Sequence, residues 1–177
     1  MTELAGPTPF PGRLVRVLDA IADVTGRAVA WLTLAMVLAA IAVVALRYGF
    51  GVGLIWLQES VTWMHAAVFM LGAAWTLRQD GHVRVDIFYR RMSPRRQALV
   101  DLAGTVFLLL PTCAYLLFES LPYVASSWRV LERSREAGGM PALYLLKTVI
   151  PVMAGLLILQ GLAEALRAWG RLRGREA

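Results

Sequence analysis

Apolar residues in this chain occur in long blocks separated by short charged segments. Four blocks contain no Asp, Glu, Lys or Arg: residues 28–46, 60–77, 102–118 and 148–163. An uncharged apolar block of about 18 residues can cross a bilayer as a helix. The first two blocks reach that length, and flanking charged residues can lie at the interface and complete the last two. The pattern predicts an all-α integral membrane protein with four transmembrane helices, at about residues 28–46, 60–77, 100–120 and 146–164.

The segment before the first block has a different pattern. Residues 1–11 are rich in Pro, Gly and Thr, which predicts disorder. Residues 12–27 have helical periodicity, with an apolar face (Leu14, Val17, Leu18, Ile21, Val24) and a charged face (Arg16, Asp19, Asp23, Arg27). We expect an amphipathic segment on the membrane surface that continues into the first span. A cleaved signal peptide is the alternative, but such a peptide has an apolar core of only about 7–15 residues.

These patterns divide the chain into three parts. Residues 1–11 are the disordered N-terminus, residues 12–170 form one four-helix membrane domain, and residues 171–177 form a basic tail. The linker between the first two spans, residues 48–58, has no charge, three glycines and bulky apolar side chains. Since such a linker is poorly solvated, we predict that it is an interfacial connector or that it packs on a partner.

The third span belongs to a longer predicted helix. Ser93 and Pro94 are a favourable N-cap and first helical residue, and the helix can continue to about Trp128. About 35 residues make roughly 50 Å of helix, against a hydrocarbon core of about 30 Å. This helix must therefore tilt, kink at Pro111 or Pro122, or project from the membrane. Pro141 is the predicted start of the fourth helix.

Charge sets the predicted orientation and excludes some functions. Of 18 basic residues, 13 lie in the segments that four spans place on the side of the two termini, which predicts cytoplasmic termini. The net charge of +6 does not indicate nucleic-acid binding, because the basic residues separate apolar blocks instead of forming a stripe. The single cysteine, Cys113, permits no disulfide within the chain and is predicted to be a small core residue.

Five ionisable residues lie at the predicted span ends. Glu59, Glu119 and Lys147 lie at one end of the bundle, and Arg78 and Glu164 lie at the other. They could form a transport or proton-relay site, or they could be rim ion pairs between helix ends. We favour ion pairs, because ionisable groups cost much less at span ends than at mid-membrane. No span has a charge near its middle, which favours a helper subunit over a complete carrier.

The sequence gives no support for an enzyme or a cofactor site. It contains no Ser-His-Asp set, H-E-x-x-H or P-loop pattern, so no catalytic, cofactor-binding or metal-binding residue is predicted. His65 and His82 lie at opposite ends of the second span, which disfavours a haem held by both. His65 is instead predicted to form a hydrogen bond between helices.

The residues from Glu59 to Asp86 resemble a known family. Glu59, then Gly72-Ala73-Ala74, Leu77-Arg78 and Gly81-His82-Val83-Arg84-Val85-Asp86, are similar to the small membrane subunit of TRAP (tripartite ATP-independent periplasmic) transporters, the DctQ-like family. The resemblance implies a bacterial inner-membrane scaffold subunit. Its implied partners are a large multispan permease subunit, which holds the substrate and ion sites, and a periplasmic solute-binding protein that delivers an organic acid or related solute.

Within that resemblance, the motif residues are interpreted as structural or partner-facing. Arg78 and His82 are predicted to cap the second helix at its C-terminal end, where positive charge is favourable. Gly81 ends the helix. Asp86 is predicted to accept hydrogen bonds from Arg90 or backbone amides and so to shape the loop.

Two other functions remain open from the sequence. One is a stand-alone four-helix proton-coupled exporter, in which Glu59 carries the proton. The other is a membrane anchor subunit of a respiratory enzyme.

Overall fold

The structure, a computed structural model, describes residues 12–83 and 86–174, and for Asp86 it describes the backbone alone. The described residues form five helices and no strand: α1 Gly12–Gly49, α2 Ile55–Arg78, α3 Asp86–Tyr89, α4 Pro94–Arg129 and α5 Leu143–Leu172. The helices α1, α2, α4 and α5 are long and apolar enough to cross a membrane. The predicted all-α membrane fold with four transmembrane helices is confirmed.

Helix α5 is the central helix of the bundle. It packs against α1, α2 and α4, whereas α4 has α5 as its main neighbour among the described helices. In the most apolar window of α5, 22% of the residues are buried, against 6% in each of the other three long helices. The buried positions of α5 are mostly small: Ala154, Gly161, Ala163 and Ala168. Small residues allow helix backbones to approach closely in a membrane, where the lipid offers no hydrophobic drive for association.

The N-terminal segment is the first part of one continuous helix, α1. Part of its charged face turns towards the bundle. Asp19 and Asp23 are directed towards α2 and α5, where they meet Arg78 and Arg167. The exposed residues of this segment include the apolar side chains of Leu14, Val17, Ile21 and Val24 together with Arg13, Arg16 and Arg27. The two carboxylates face the bundle because arginines on two neighbouring helices lie at the same level.

The connector between α1 and α2 is irregular over residues 50–54. Phe50 of the connector is 76% exposed, and Tyr48, which precedes it at the end of α1, is 82% exposed. Gly51 has a φ of +67°, which favours glycine at that position. Its location at a membrane interface stays a prediction.

Helix α4 begins at Pro94 after the N-cap Ser93 and ends at Arg129, close to the predicted limits. Its hydrogen-bond ladder widens into a π-helical turn over Thr105–Leu109, where the Leu110 N–H donates to the carbonyl of Thr105. Pro111 follows directly and has no N–H to offer the carbonyl four residues earlier, so the regular ladder is already interrupted there. The irregularity predicted at Pro111 or Pro122 therefore takes the form of one extra residue in the turn before Pro111.

Candidate functional site: two polar ends of the bundle

The antiparallel helices bring most of the predicted site residues to two opposite ends of the bundle. The Arg78 end consists of the start of α1, the end of α2 and the end of α5; its central residues are Asp19, Asp23, Arg78, Gln160, Glu164 and Arg167. The Glu59 end consists of the start of α2, the end of α4, the start of α5 and residues 130–142, which we call the α4–α5 loop.

At the Arg78 end, one carboxylate joins three helices. Asp19 of α1 pairs with Arg167 of α5 through Nη2, and it lies 3.6 Å from Nε of Arg78 of α2. Arg78 also pairs with Asp23, one turn further along α1. Arg167 in turn pairs with Glu164 of its own helix. Both arginines lie near helix C-termini, where positive charge is favoured by the exposed carbonyl groups.

Gln160 is the deepest polar side chain of this network and is only 1% exposed. Its amide nitrogen donates to Glu164 Oε1 at 3.2 Å and to Asp19 Oδ1 at 3.4 Å. Because ionised carboxylates only accept hydrogen bonds, the NH₂ group of the Gln160 amide, and not its oxygen, must face Asp19 and Glu164. The amide oxygen has no hydrogen-bond partner among the described residues.

A second group of contacts ties the short helix α3 to the same end. The Tyr89 hydroxyl lies 2.9 Å from both carboxylate oxygens of Asp101, and Arg171 of α5 lies 3.1 Å from Asp101 Oδ2. Gln97 donates to the backbone carbonyl of Tyr89 at 3.0 Å. The loop between α2 and α4 is thereby fixed against α5. An open cleft of about 960 Å³ remains between them, with Arg78, His82, Asp101 and Arg167 in its wall.

The end of α2 has the geometry of a helix-terminating motif. The Gly81 N–H donates to the Thr76 carbonyl at 2.9 Å, and Asp80 adopts a φ of +54°. This is the six-to-one hydrogen bond of a Schellman motif, with the left-handed residue at Asp80 and not at Gly81. A Cβ at Gly81 would lie 3.2 Å from Thr76 Cγ2.

Among the described residues, neither Arg78 nor His82 donates a side-chain hydrogen bond to the carbonyls at the end of α2. Arg78 is directed to the carboxylates of α1, and His82 is exposed and lies in the cleft wall. The backbone amides of Gln79, Asp80 and Gly81 already bond to the carbonyls at the end of α2. The side chain of Asp86 and the whole of Arg84 lie outside the described residues, as do residues 1–11 and 175–177.

At the Glu59 end, one carboxylate holds the α4–α5 loop. Glu59 accepts a hydrogen bond from the Ser134 hydroxyl and one from the Met140 backbone N–H, the latter at 2.6 Å. The loop closes on itself between these two residues, since the Ser134 N–H donates to the Met140 carbonyl at 3.0 Å. Gly139 is required at this point, because a Cβ would lie 2.6 Å from Ser134 Oγ and 2.7 Å from Glu59 Oε2.

Lys147 pairs with Glu132 of the α4–α5 loop. The hydrogen bond from Lys147 is the main reason that the pKa of Glu132 is lowered, with a second contribution from the Ser127 hydroxyl at 2.6 Å. Next to this pair, Trp128 Nε1 donates to Thr148 Oγ1 at 2.9 Å, and its ring packs on Tyr144 with centroids 4.5 Å apart. These contacts join the end of α4 to the start of α5.

Glu119 takes no part in the ion pairs at this end. It lies exposed on α4, and no described residue forms an ion pair or hydrogen bond with its side chain. Lys147 pairs with Glu132 instead of Glu119. Glu132 follows the end of α4, where the chain folds back towards α5. His65 is also exposed, and its predicted interhelical hydrogen bond is absent from the described residues.

The structure thus brings Arg78 and Glu164 into one network and places Glu59 and Lys147 at the other end. Sequence reasoning did not identify the central partners Asp19, Gln160 and Arg167 or the loop residue Glu132. A signal for some of them is present on α5: Gln160, Glu164, Arg167 and Arg171 recur at spacings of four, three and four residues. That spacing places a polar stripe on one face of an otherwise apolar helix.

One comparison with known proteins gives a match. The family model described as "Tripartite ATP-independent periplasmic transporters, DctQ component" matches residues 36–171, well over half of the chain. The matched range contains α2, α3, α4 and most of α5. No similar curated protein and no similar solved structure was found. The resemblance seen in the residues around Arg78 and Gly81 is confirmed.

Proposed function

We propose that this chain is the small scaffold subunit of a tripartite ATP-independent periplasmic transporter. It belongs to the family of DctQ components of these transporters. In this proposal it binds a large multispan permease subunit, which moves the solute. A periplasmic solute-binding protein delivers that solute, an organic acid or a related compound. The family is a transporter component and not an enzyme.

The observation that carries the proposal is the distribution of ionisable groups in the described bundle. These groups are concentrated at the Arg78 end and the Glu59 end. Most of the central residues of each end form ion pairs or hydrogen bonds with other residues of the bundle. A carrier needs a binding group or a broken helix near mid-membrane. The described parts of α1, α2, α4 and α5 are continuous helices, and the π-helical turn of α4 does not break its course. This arrangement supports a static role.

The bonds of Glu59 also argue against a stand-alone proton-coupled exporter. Both carboxylate oxygens accept hydrogen bonds, one from a side chain and one from a backbone amide. A proton carrier must bind and release its proton during each cycle, whereas this arrangement favours the ionised form throughout. We therefore assign Glu59 to holding the α4–α5 loop.

We further propose that both termini and the loop between α2 and α4 face the cytoplasm of the cell that carries this protein in its inner membrane. The excess of basic residues in those segments supports this orientation. The α4–α5 loop then faces the periplasm, on the side from which the binding protein delivers solute. The Arg78 end lies at the cytoplasmic surface.

Co-purification tests the proposal. The tagged chain is co-expressed with its large permease subunit, extracted in mild detergent and analysed by mass. We expect one stable complex of the two membrane subunits. Uptake of labelled solute into proteoliposomes should require both subunits and the binding protein.

The opposite results would separate the alternatives. Solute movement by this chain alone would indicate a stand-alone carrier. A soluble redox subunit in the purified complex, with a haem absorption band, would indicate a respiratory anchor.

A further inference from the structure

Helix α4 carries an exposed polar stripe in its second half. We call it the Glu119 stripe, and it consists of Thr112, Tyr115, Glu119, Tyr123 and Ser126. These residues follow each other at spacings of three or four, so they lie on one face of the helix. All five are exposed in the bundle, Tyr115 to 65% and Tyr123 to 50%.

The depth of this stripe distinguishes it from a solvated helix end. Lys147 lies over the ring of Tyr123, with Nζ 4.2 Å from the ring centroid, so Tyr123 lies at the level of the rim ion pair. Glu119 precedes Tyr123 by four residues, and Thr112 precedes it by eleven. At 1.5 Å per residue, Glu119 lies about 6 Å and Thr112 about 16 Å nearer the middle of the bundle.

A carboxylate in this position calls for a partner. An ionised side chain that faces lipid is costly, and such groups normally pair with other groups in a protein interior. Glu119 has no pairing group among the described residues, although α5 contributes Lys147 at the same end. The described part of the chain therefore leaves one carboxylate and a row of hydroxyl groups uncovered within a membrane-spanning helix.

We propose that the Glu119 stripe is the docking face for a transmembrane helix of the large permease subunit, which carries a basic side chain at the depth of Glu119. This inference rests on the proposed function. Charge complementarity specifies the basic group, and the hydroxyl groups of Thr112 and Tyr115 supply interhelical hydrogen bonds. The Ser126 hydroxyl already donates to the Tyr123 carbonyl of its own helix at 2.8 Å. Helix α4 is suited to this contact, because α5 is its main described neighbour and the opposite side is open.

A second copy of this chain fits the stripe poorly. A symmetric dimer in a membrane has its twofold axis along the membrane normal, so both Glu119 side chains would lie at one depth and repel each other. Lipid acyl chains fit the deeper part of the stripe, at Thr112 and Tyr115, no better, because they offer neither a cation nor a hydrogen-bond donor. These two occupants become outcomes of the test.

Site-directed photo-crosslinking in the co-expressed complex tests the proposal. A photoreactive benzoyl-phenylalanine replaces Tyr115 in the stripe, Phe69 on α2 or Trp31 on α1; Phe69 is 75% exposed and Trp31 is 73% exposed. We expect Tyr115 to crosslink to the large permease subunit. If the intact complex crosslinks through Phe69 or Trp31 while Tyr115 labels only lipid, the inference is overturned and the proposed function stands. A crosslinked dimer of the small subunit through Tyr115 would also overturn it.

Substitutions in the stripe test the chemistry. We expect Glu119→Leu to weaken association of the two subunits at least tenfold, or about 1.4 kcal/mol, because a basic group would be left unpaired in the interface. Glu119→Asp should retain most of the association. Thr112 lies in the stripe and Thr62 lies outside it, and both are exposed. Thr112→Leu should weaken association of the two subunits, and the matched control Thr62→Leu should not.

The isolated Glu119→Leu chain should keep its thermal stability, which separates a docking defect from a folding defect. Wild-type association of both Glu119→Leu and Thr112→Leu would contradict the inference. If the wild-type subunits themselves do not co-purify, the proposed function fails, and the inference fails with it.

Discussion

The two ends of the bundle are both polar, yet they join different parts of the chain. At the Arg78 end, side chains of α1, α2 and α5 bond directly to one another, and the closest contacts are ion pairs. At the Glu59 end, the main carboxylate bonds to a loop, and one of its two donors is a backbone amide. The first end therefore holds helices in position, and the second holds a loop in one conformation. Loss of the first should loosen the whole bundle, and loss of the second should loosen the loop alone.

The largest effect is expected for Asp19→Ala. Asp19 is the contact shared by Arg78, Gln160 and Arg167, and its side chain is only 18% exposed. Removal of one member of a buried ion pair costs about 3–5 kcal/mol, and the remaining partners Asp23 and Glu164 should reduce this loss to about 2–3 kcal/mol. Thermal unfolding in detergent measures it. Glu119→Ala is the control, since this exposed carboxylate has no described partner in the isolated chain and should leave the midpoint unchanged.

A steric change at the same end should have the next largest effect. A Cβ at Gly26 of α1 would lie 2.6 Å from Cδ1 and 2.9 Å from Cβ of Trp75 of α2. Gly26→Ala should push these helices apart near Arg78 and destabilise the bundle by about 1–2 kcal/mol. Gly155→Ala on α5 is the control, because an added Cβ there meets nothing within 4 Å. Equal midpoints for the two variants would show that the close approach of α1 and α2 is not required.

A smaller and local effect is expected for Glu59→Gln. The carboxylate is replaced by a neutral amide with one oxygen acceptor, so the hydrogen bonds from Ser134 and Met140 are weakened. Amide hydrogen exchange should become faster at Met140 and its neighbours, while α1 and α2 keep their protection. Glu136→Gln makes the same change at an exposed position of the same loop and should alter nothing. Faster exchange across the whole bundle after Glu59→Gln would remove the distinction between the two ends.

The smallest effect concerns pH. The pKa of Glu132 is lowered in the folded protein, first by the hydrogen bond from Lys147, from an ordinary value of 4.5. The stabilisation by this carboxylate is therefore fully present above pH 4.5 and is lost as the pH falls through the lowered value. Wild type should be more stable than Glu132→Gln at pH 7, and the two unfolding midpoints should converge below pH 4.5. A constant difference at all pH values would contradict the assignment.

The sequence predicts the helices of the bundle, but it does not predict the contacts of Asp19 at the Arg78 end. Uncharged blocks predict the four helices, and Ser93-Pro94 predicts the start of α4, because those signals are local. The role of Asp19 could not be predicted in the same way, since its partners Gln160 and Arg167 are 141 and 148 residues away in sequence. Which face of α1 meets them depends on how three helices are rotated, and the amphipathic pattern of residues 12–27 is equally compatible with a surface helix.

The same limit explains the rim pairs. Lys147 and Glu119 are both charged residues at predicted span ends, and span ends alone do not distinguish Glu119 from Glu132. The choice depends on the path of the α4–α5 loop, which returns Glu132 to α5. That path rests on the bonds from Ser134 and Met140 to a carboxylate on a third helix, and no local pattern encodes it. The location of Glu59 and Lys147 at one end, in contrast, follows from the antiparallel order of the spans.

The π-helical turn at Thr105–Leu109 changes the angular phase of α4. One extra residue in a turn shifts the side chains beyond it by about 100° relative to a regular helix. Ala98 is buried before the turn and Thr105 at its first position; after the turn, the buried positions are Cys113, Ser120, Val124 and Ser127. At its start, α4 packs on α5 through one face. In a regular helix without this shift, Glu119 would lie on that same face and close to α5. The single additional residue thus acts as a rotational offset that keeps one helix against its neighbour and turns its carboxylate outwards.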